Sequence, residues 1–392
     1  MTPPPDIPAP TPFRRALLRW YRRNRRDLPW RRTSDAYAIL VSELMLQQTQ
    51  VSAVIPYYER FLKRFPTPAA LAAAKEQDVL RLWAGLGYYR RARQLQQAAQ
   101  RAVLDHEGKI PPRYEDLLAL PGVGPYTAAA VASIAFGQTR AVVDGNVARV
   151  LCRLLAFGDT PRAGPAAARI QQAAQALLAP RAPGDFNQAM MELGALICRP
   201  ASPQCPVCPV RALCRAFALG QQESFPVPAQ RPKTKVVQEW APLILRGGRL
   251  LMLQRPPDGP WAGMWEVPHV PALPGESPRH GLTRAARQLG GLSIEPAQPA
   301  FTITSAFTHH RIEFHCALAH PDPGAPRPPD SRPVRWVTPA QAARLPLPSA
   351  QKRIIHRMLD MRGFGTSGSR TSEQPPSTET PAAVAVPKPP DP

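Results

Sequence analysis

The stretch LPGVGPYTAAAVASIAFGQTRAVVDGN, residues 120–146, decides how the first half of the chain is organised. A short helical run precedes it, and the Ala-rich run 126–136 ends at Gly137, a residue suited to the C-terminus of a helix. The pattern predicts a helix, a tight hairpin and a second helix. Because Gly122 and Gly124 have no side chains, backbone N–H groups there can approach an anion closely. A DNA phosphate is the natural candidate.

Asp144 lies near the end of this stretch. It follows the apolar residues 141–143 and precedes the helical run VARVLCRLL. An aspartate at such a position is commonly a helix N-cap, and taken alone this is its more frequent role. A catalytic carboxylate is the alternative.

Glu43 lies in another helical run, AYAILVSELMLQQTQV, with Ile39, Leu40 and Leu46 as its neighbours on the helix surface. Burial among apolar side chains would raise the pKa of the carboxyl, as a general acid near neutral pH requires. A glutamate at the edge of an apolar face is, taken alone, more often a boundary residue that reaches water. With Asp144, Glu43 could form the pair of one protonated and one ionised carboxylate that recurs where glycosidic bonds are broken.

Four cysteines form a C-x6-C-x2-C-x5-C array: Cys198, Cys205, Cys208 and Cys214. Four thiolates suit one tetrahedral metal site or one cubane cluster. Structural zinc is the alternative, but zinc sites usually pair two C-x2-4-C knuckles, and this array contains one. We therefore predict a 4Fe-4S cluster in the loop 198–214.

The formal net charge of +21 favours an anionic polymer as partner, and basic residues are dense in FRRALLRWYRRNRRDLPWRR near the start of the chain. The N-terminus lacks the apolar core of a signal peptide, and no run approaches the length of a membrane span. We therefore expect a cytoplasmic protein.

Changes in sequence pattern predict five segments along the chain. They are a disordered N-terminus (1–12), an all-α domain (13–220), an interdomain linker (221–235), a smaller α+β domain (236–361) and a disordered Pro-rich tail (362–392).

Taken together, LPGVGPYTA followed by VDGNVARV, SELMLQQTQV and the cysteine array resemble the MutY family of adenine DNA glycosylases. This family belongs to the helix-hairpin-helix superfamily, which also contains endonuclease III. The resemblance implies a base excision repair enzyme that flips adenine out of a mispair with 8-oxoguanine, or with guanine, in double-stranded DNA. It also implies one 4Fe-4S cluster, a monomer, and association with the bacterial nucleoid.

By this resemblance Glu43 protonates N7 of adenine, and Asp144, oriented by Asn146, stabilises the sugar oxocarbenium ion. Tyr126 helps to hold the sugar and the acid. In relatives resembling endonuclease III a lysine stands at position 126, attacks C1′ and leads to strand cleavage. Because a phenol forms no imine, we expect a monofunctional glycosylase. A bifunctional glycosylase and AP lyase is the alternative, and a DNA-binding module without chemistry is a third reading.

Further positions match the family over shorter stretches. Gln48 and Tyr88 match residues that wedge into the duplex beside the lesion, although ordinary helix and turn packing would also explain them. Trp30, Arg31 and Gln188 match adenine-pocket positions, and Gln188 is a glutamate in some relatives.

The C-terminal domain resembles the MutT-like, Nudix-fold domain of the same family, which reads 8-oxoguanine. Phe307, Thr308 and His309 match a recognition motif usually written Phe-Ser-His, and the neighbouring His310 is an alternative reader. A working Nudix hydrolase needs a glutamate cluster, RExxEExG, to bind metal ions. The comparable stretch GESPRHGLTRAARQLGG has basic and neutral residues there, so we expect no pyrophosphohydrolase activity.

Overall fold

The computed structural model describes residues 7–361 except 159–163, 228–233, 260, 296–298, 308–309, 323–331 and 343. The predicted tail 362–392 lies outside the described residues, as does most of the predicted linker.

The first part of the described chain is helical. Its helices are α1 (Pro10–Asn24), α2 (Ala36–Leu46), α3 (Val51–Arg64), α4 (Pro68–Ala72), α5 (Glu76–Trp83), α6 (Arg90–Asp105), α7 (Tyr114–Ala119), α8 (Pro125–Phe136), α9 (Gly145–Leu155), α10 (Gly164–Leu177), α11 (Pro183–Leu196) and α12 (Arg215–Ala218), with short 3-10 turns at Pro29–Arg31, Cys205–Val207 and Arg211–Leu213.

Helix α1 begins inside the segment 1–12, which the sequence analysis takes as disordered. Pro10 occupies the first helical turn, where a backbone N–H would have no partner and proline is therefore well tolerated. The predicted disordered N-terminus is thus too long, because a proline-rich sequence can also open a helix.

The helices form two lobes with separate apolar cores. In the first lobe, α2 to α8 enclose a core that includes Phe61, Trp83 and Leu95. In the second lobe, α1 packs with α9 to α12 around a core that includes Leu17 and Leu151. The space between the two lobes is where a substrate can enter.

The predicted helical hairpin is formed by α7 and α8. Gly122, in the turn, has a φ of +78°, a conformation that favours glycine. Gly137 ends α8 with a φ of +66°, as its role as a C-cap requires. The glycines at these two positions therefore allow the tight turn between α7 and α8 and the end of α8.

The run that carries Glu43 is shorter than its sequence pattern suggests. Helix α2 ends at Leu46, and Gln48 has a φ of +54° before α3 begins at Val51. A turn therefore separates the two helices, and it places Gln48 outside the helical surface.

The second domain contains the strands β1 (Lys235–Arg246), β2 (Arg249–Gln254), β3 (Trp265–Glu266), β4 (Val270–Pro271), β5 (Phe301–Phe307), β6 (His310–Ala319) and β7 (Val334–Val337), and the helices α13 (Pro278–Gly290), α14 (Pro339–Ala342) and α15 (Ser349–Met361). The sheet runs in the order β3-β2-β1-β6-β5, with β4 paired to β1 and β7 paired to β2.

Strands β1 and β6 are parallel, from Lys235 opposite His310 to Ile244 opposite Ala319, and the other described pairings are antiparallel. Apolar residues of α15 pack into one core of the domain, and α13 contributes to two smaller cores. Since each helix supplies an apolar face, the mixed sheet is stabilised by helices, as in an α+β domain.

The second domain docks on α5 and α6 of the first lobe. Met264 is fully buried in the core of that lobe. The Tyr89 hydroxyl donates to the carbonyl of Leu347 at 3.2 Å, and the Gln77 amide donates to the carbonyl of Gly263 at 3.3 Å. Apolar and polar contacts therefore both hold the domains together. None of the helices in the described ranges is long and apolar enough to cross a membrane.

Candidate functional site

A cleft of about 760 Å³ opens between the two helical lobes. It brings together eight of the residues that the sequence analysis singles out: Trp30, Arg31, Glu43, Gln48, Tyr126, Asp144, Asn146 and Gln188. They come from separate elements, so the cleft exists only in the folded chain.

Glu43 is buried at the cleft wall, in the last turn of α2, with 5% of its surface exposed. The Tyr126 hydroxyl, from the first turn of α8, donates a hydrogen bond of 2.8 Å to Oε2 of Glu43. Burial raises the pKa of Glu43 to about 7, although the bond from Tyr126 opposes this, and the charge of Asp144 adds to it. Glu43 is therefore protonated in a large fraction of molecules near neutral pH, as a general acid must be.

Tyr126 remains a neutral phenol in this setting. Burial, followed by the charges of Glu43 and Asp144, raises its pKa well above the ordinary value. Its hydroxyl also lies 3.4 Å from the sulfur of Met191. Because it keeps its proton, Tyr126 can hold Glu43 but does not compete with it as an acid.

Asp144 caps the N-terminus of α9, as one of the two predicted roles requires. Its Oδ1 accepts from the Val147 amide at 2.7 Å, and its Oδ2 accepts from the Asn146 side chain at 2.9 Å. Asn146 in turn accepts at 2.9 Å from Arg149, whose Nε donates to the carbonyl of Cys198. Two donors and a helix N-terminus thus orient a carboxylate that faces the cleft.

The site includes a buried ion cluster that the sequence analysis missed. Glu192 on α11 is fully buried and pairs with Arg26 at 2.7 Å and with Arg31 at 2.8 Å. Burial alone would raise the pKa of Glu192, but the hydrogen bonds from the two arginines bring it to about 2. A glutamate within the apolar run QAMMELG was the available signal, but its partners lie more than 160 positions earlier.

Trp30 and Gln188 contribute different surfaces to the cleft. Trp30 is buried and packs edge-on against Tyr58, with ring centroids 5.4 Å apart, which fixes the indole. Gln188 on α11 is half-buried and offers an amide. An aromatic wall and an amide suit a flat, polar heterocycle.

A second groove runs beside the cleft. Gly122, Gly124, Gln48 and Tyr88 line it, and Trp261 of the second domain faces it from the other side. A side chain at Gly124 would meet nothing within 4 Å, and its φ of −87° suits any residue. The glycine therefore leaves open space in front of a helix N-terminus, as a bound phosphate requires.

The four cysteines of the array lie in one loop between α11 and α12. None of the four is in a disulfide, and Cys198, Cys208 and Cys214 pack at the edge of the second lobe's core. Burial, together with the neighbouring thiols, raises the pKa of Cys208 to about 12. Arg153 donates to the Cys198 sulfur at 3.4 Å. Within the described ranges no group of three or more His, Cys, Asp or Glu side chains is arranged to hold a metal ion.

The predicted 8-oxoguanine reader is only partly described. Strands β5 and β6 pair as far as Phe307 opposite His310, and Thr308 and His309 lie outside the described residues. Helix α13 contains no acidic residue, and the nearby Glu276 binds Arg284 at 2.7 Å. That carboxylate is therefore engaged within the protein.

Two family models match this chain. Residues 41–180 match the HhH-GPD superfamily of base excision DNA repair proteins, and residues 240–357 match the NUDIX domain. The adenine DNA glycosylase of Mus musculus is 38% identical to this chain, over an alignment that spans 95% of this chain and 83% of the relative. The adenine DNA glycosylase of Homo sapiens is 36% identical to this chain, over an alignment that spans 94% of this chain and 78% of the relative.

Among solved structures, that of a thermostable thymine-DNA glycosylase is 30% identical, with a TM-score of 0.49 over 53% of this chain and 95% of its own. The assignment to a family rests on the sequence identity and the coverage of the two mammalian relatives. This chain belongs to the adenine DNA glycosylase family.

Proposed function

We propose that this protein is a monofunctional DNA glycosylase that removes adenine mispaired with 8-oxoguanine or guanine in double-stranded DNA. One observation carries the proposal: a buried carboxyl, Glu43, with its pKa raised to about 7, shares a cleft with the oriented carboxylate of Asp144. These are the two groups that hydrolysis of a glycosidic bond needs.

Glu43 acts as the general acid. Adenine is a poor leaving group as an anion, and a proton at N7 lets it leave as a neutral base. Glu43 delivers that proton from its buried position, and Tyr126 holds the carboxyl through the 2.8 Å hydrogen bond. As the proton leaves, the same hydrogen bond stabilises the carboxylate that forms.

Asp144 stabilises the positive charge that develops on the sugar. Asn146 and the Val147 amide keep both oxygens of its carboxylate in place. A preoriented charge stabilises the oxocarbenium-like transition state without rearranging as the reaction proceeds. Water then adds at C1′ and gives up one proton, which restores the protonated form of Glu43, and an abasic site is left.

The flipped adenine occupies the cleft beside Trp30 and Gln188. Arg31 reaches this cleft, and its pairing with Glu192 restricts its motion. We assign the pair of Arg31 and Glu192 the role of shaping the cleft wall, because a guanidinium bound to a carboxylate has a fixed orientation.

Tyr126 directs the protein toward hydrolysis alone. A lyase needs an amine that forms a Schiff base with C1′, and a phenol cannot do so. The lysine that would favour the bifunctional alternative is replaced at this position by Tyr126.

The DNA follows the groove between the helical hairpin and the second domain. Backbone N–H groups near Gly122 and Gly124 bind a phosphate, and Gln48 and Tyr88 enter the duplex. The second domain reads the opposite base through Phe307, Thr308 and His309. What supports this placement is that both domains line the groove.

The cysteine loop holds one 4Fe-4S cluster, with Cys198, Cys205, Cys208 and Cys214 as ligands. What supports this set is the chemistry of the donors: one short loop between α11 and α12 carries four cysteines, and thiolates are the ligands of such clusters. Bound by these four cysteines, a cluster would cross-link the loop that packs at the edge of the second lobe's core.

The test compares adenine release opposite 8-oxoguanine, guanine and thymine. We expect release from the first two and none opposite thymine. Thr308→Ala should lower the preference for 8-oxoguanine over guanine about three- to tenfold, the worth of one hydrogen bond. The matched control is Thr304→Ala on the exposed side of β5, which should leave the preference unchanged. Equal losses on both mispairs would contradict the assignment of Thr308.

A further inference from the structure

Arg91 is a buried cation that none of the roles above uses. It lies in the first turn of α6 with 5% of its surface exposed. Its Nη1 donates to the carbonyl of Leu44 at 2.8 Å and of Met45 at 3.0 Å, and also to the carbonyl of Gln47. One side of the guanidinium therefore binds the end of α2 and the turn that follows it.

The other side of the same guanidinium binds a different turn. Nη2 donates to the carbonyls of Leu86 at 3.3 Å and Gly87 at 3.2 Å, in the segment between α5 and α6. It also donates to the Thr49 hydroxyl at 3.3 Å. Arg91 thus joins two turns about 40 positions apart in sequence through one rigid, planar group.

Each turn contains a strained residue. Gln48 has a φ of +54° and Tyr88 a φ of +47°. A side chain other than glycine in this region costs about 1 kcal/mol or more, so each turn needs outside support. Arg91 binds the carbonyl of Gln47 and that of Gly87, which belong to the peptide groups directly before the two strained residues.

Both strained residues line the groove between the helical hairpin and the second domain. Gln48 is exposed, and Tyr88 is 46% exposed. The Tyr88 ring also lies over the Arg91 guanidinium, 5.3 Å from carbon to centroid. The backbone of both residues and the ring of one are therefore held by a single buried side chain.

We propose that Arg91 is a positioning residue that locks the two turns together, so that Gln48 and Tyr88 enter the duplex as one wedge when adenine is extruded. The inference rests on the proposed function, which gives these two residues their contact with DNA. Arg91 itself touches neither adenine nor sugar.

By holding the two turns together, Arg91 affects the extrusion of adenine from the duplex and does not affect cleavage of the glycosidic bond. An adenine in a one-nucleotide bulge has no partner base, so extruding it takes less free energy than extruding a paired adenine. The informative quantity is the single-turnover rate for adenine opposite 8-oxoguanine divided by the rate for bulged adenine. Both rates come from one preparation, so a partly inactive variant does not distort their ratio.

We expect Arg91→Gln and Arg91→Lys to lower this ratio about tenfold, since even lysine has one nitrogen where arginine uses two. Gln96→Met is the matched control. Gln96 lies on the same helix, is 6% exposed and binds the carbonyl of Ala74 at 2.7 Å, away from both turns. An unchanged ratio in both Arg91 variants, or an equal fall in Gln96→Met, would overturn the inference.

Amide hydrogen exchange measures how well Arg91 stabilises the two turns, and the measurement does not depend on enzymatic activity. In Arg91→Lys, peptides that cover 45–50 and 84–89 should lose protection together, and in Gln96→Met neither should change. Loss at one turn alone, or at neither, would contradict the lock. If wild type exchanges as expected but releases no adenine, the proposed function fails while the lock remains supported.

Discussion

The hydroxyl of the partly buried Tyr126 lies 2.8 Å from Oε2 of Glu43, which is buried. The bond stabilises the ionised carboxyl, whereas burial favours the protonated form. The balance leaves the pKa of Glu43 at about 7. A small change at Tyr126 therefore changes how much acid is available at neutral pH.

The first prediction concerns pH. Adenine excision should fall as pH rises through about 7, because Glu43 must be protonated to act. In Tyr126→Phe the carboxylate loses a donor, so the pKa of Glu43 rises and the decline moves to higher pH. Single-turnover rates measured across this range check both statements. A decline at the same pH in both proteins would contradict the assignment of Glu43.

A second prediction concerns the reaction that follows base loss. Replacing Tyr126 with lysine places a primary amine in the cleft where the proposed function puts C1′, and an amine can attack C1′ and form a Schiff base. Tyr126→Lys should therefore be trapped on DNA by borohydride, whereas wild type and Tyr126→Phe should not. Trapping of wild type at a comparable yield would favour the bifunctional alternative.

A third prediction concerns the contact between α11 and Asn146. A Cβ atom added at Gly194 would lie 2.7 Å from the Cβ of Asn146. Such overpacking costs about 1–3 kcal/mol and shifts neighbouring groups. Gly194→Ala should displace Asn146, and with it Asp144, so that excision slows about tenfold or more while DNA binding persists.

Gly184→Ala on the same helix is the matched control for that variant. Its Cβ would lie 2.7 Å from the Ser133 carbonyl, an equally close contact that does not involve Asn146. Both variants should lose stability. Only Gly194→Ala should lose rate per folded molecule, and an equal loss in both would attribute the effect to folding.

A fourth prediction concerns a buried histidine in the second domain. His269 lies between Glu239 at 2.7 Å and Glu266 at 3.1 Å. Burial lowers the pKa of His269, but the two carboxylates outweigh it and raise the pKa to about 9. Its contribution to stability is complete below about pH 6.5, the ordinary value, and is lost as pH rises through about 9.

The difference corresponds to about 3 kcal/mol over that window. Glu266 does not contribute there, because its pKa is lowered to about 2 and its contribution is lost only in acid. Denaturant unfolding should therefore show a smaller pH dependence for His269→Gln than for wild type. His280→Gln, at an exposed position, is the control and should behave as wild type. Identical slopes for all three proteins would refute the prediction.

Much of the helical fold could be predicted because its signals are local. Gly137 ends a helix and Asp144 begins one, and each acts on residues within a single turn. The break after Leu46 was missed, since nothing in the run SELMLQQTQV interrupts a helix. Tertiary contacts stabilise the turn after Leu46, among them the hydrogen bond from Arg91 to the carbonyl of Gln47.

The candidate site divides in the same way. Glu43, Asp144 and Tyr126 could be named from their motifs. The pairing of Arg26 and Arg31 with Glu192 could not, because it joins residues of separate helices whose relative placement depends on the packing of the whole second lobe. Charged residues in a basic sequence offer too many partners for pairing to be assigned from order alone.

The most direct test of the account is one single-turnover experiment on duplex DNA with adenine opposite 8-oxoguanine, with products resolved before and after alkali. Wild type should break the strand only after alkali. Glu43→Gln should bind the same duplex but release adenine at least about a hundredfold more slowly, the usual worth of a general acid. Strand breaks without alkali, or full release by Glu43→Gln, would contradict the account.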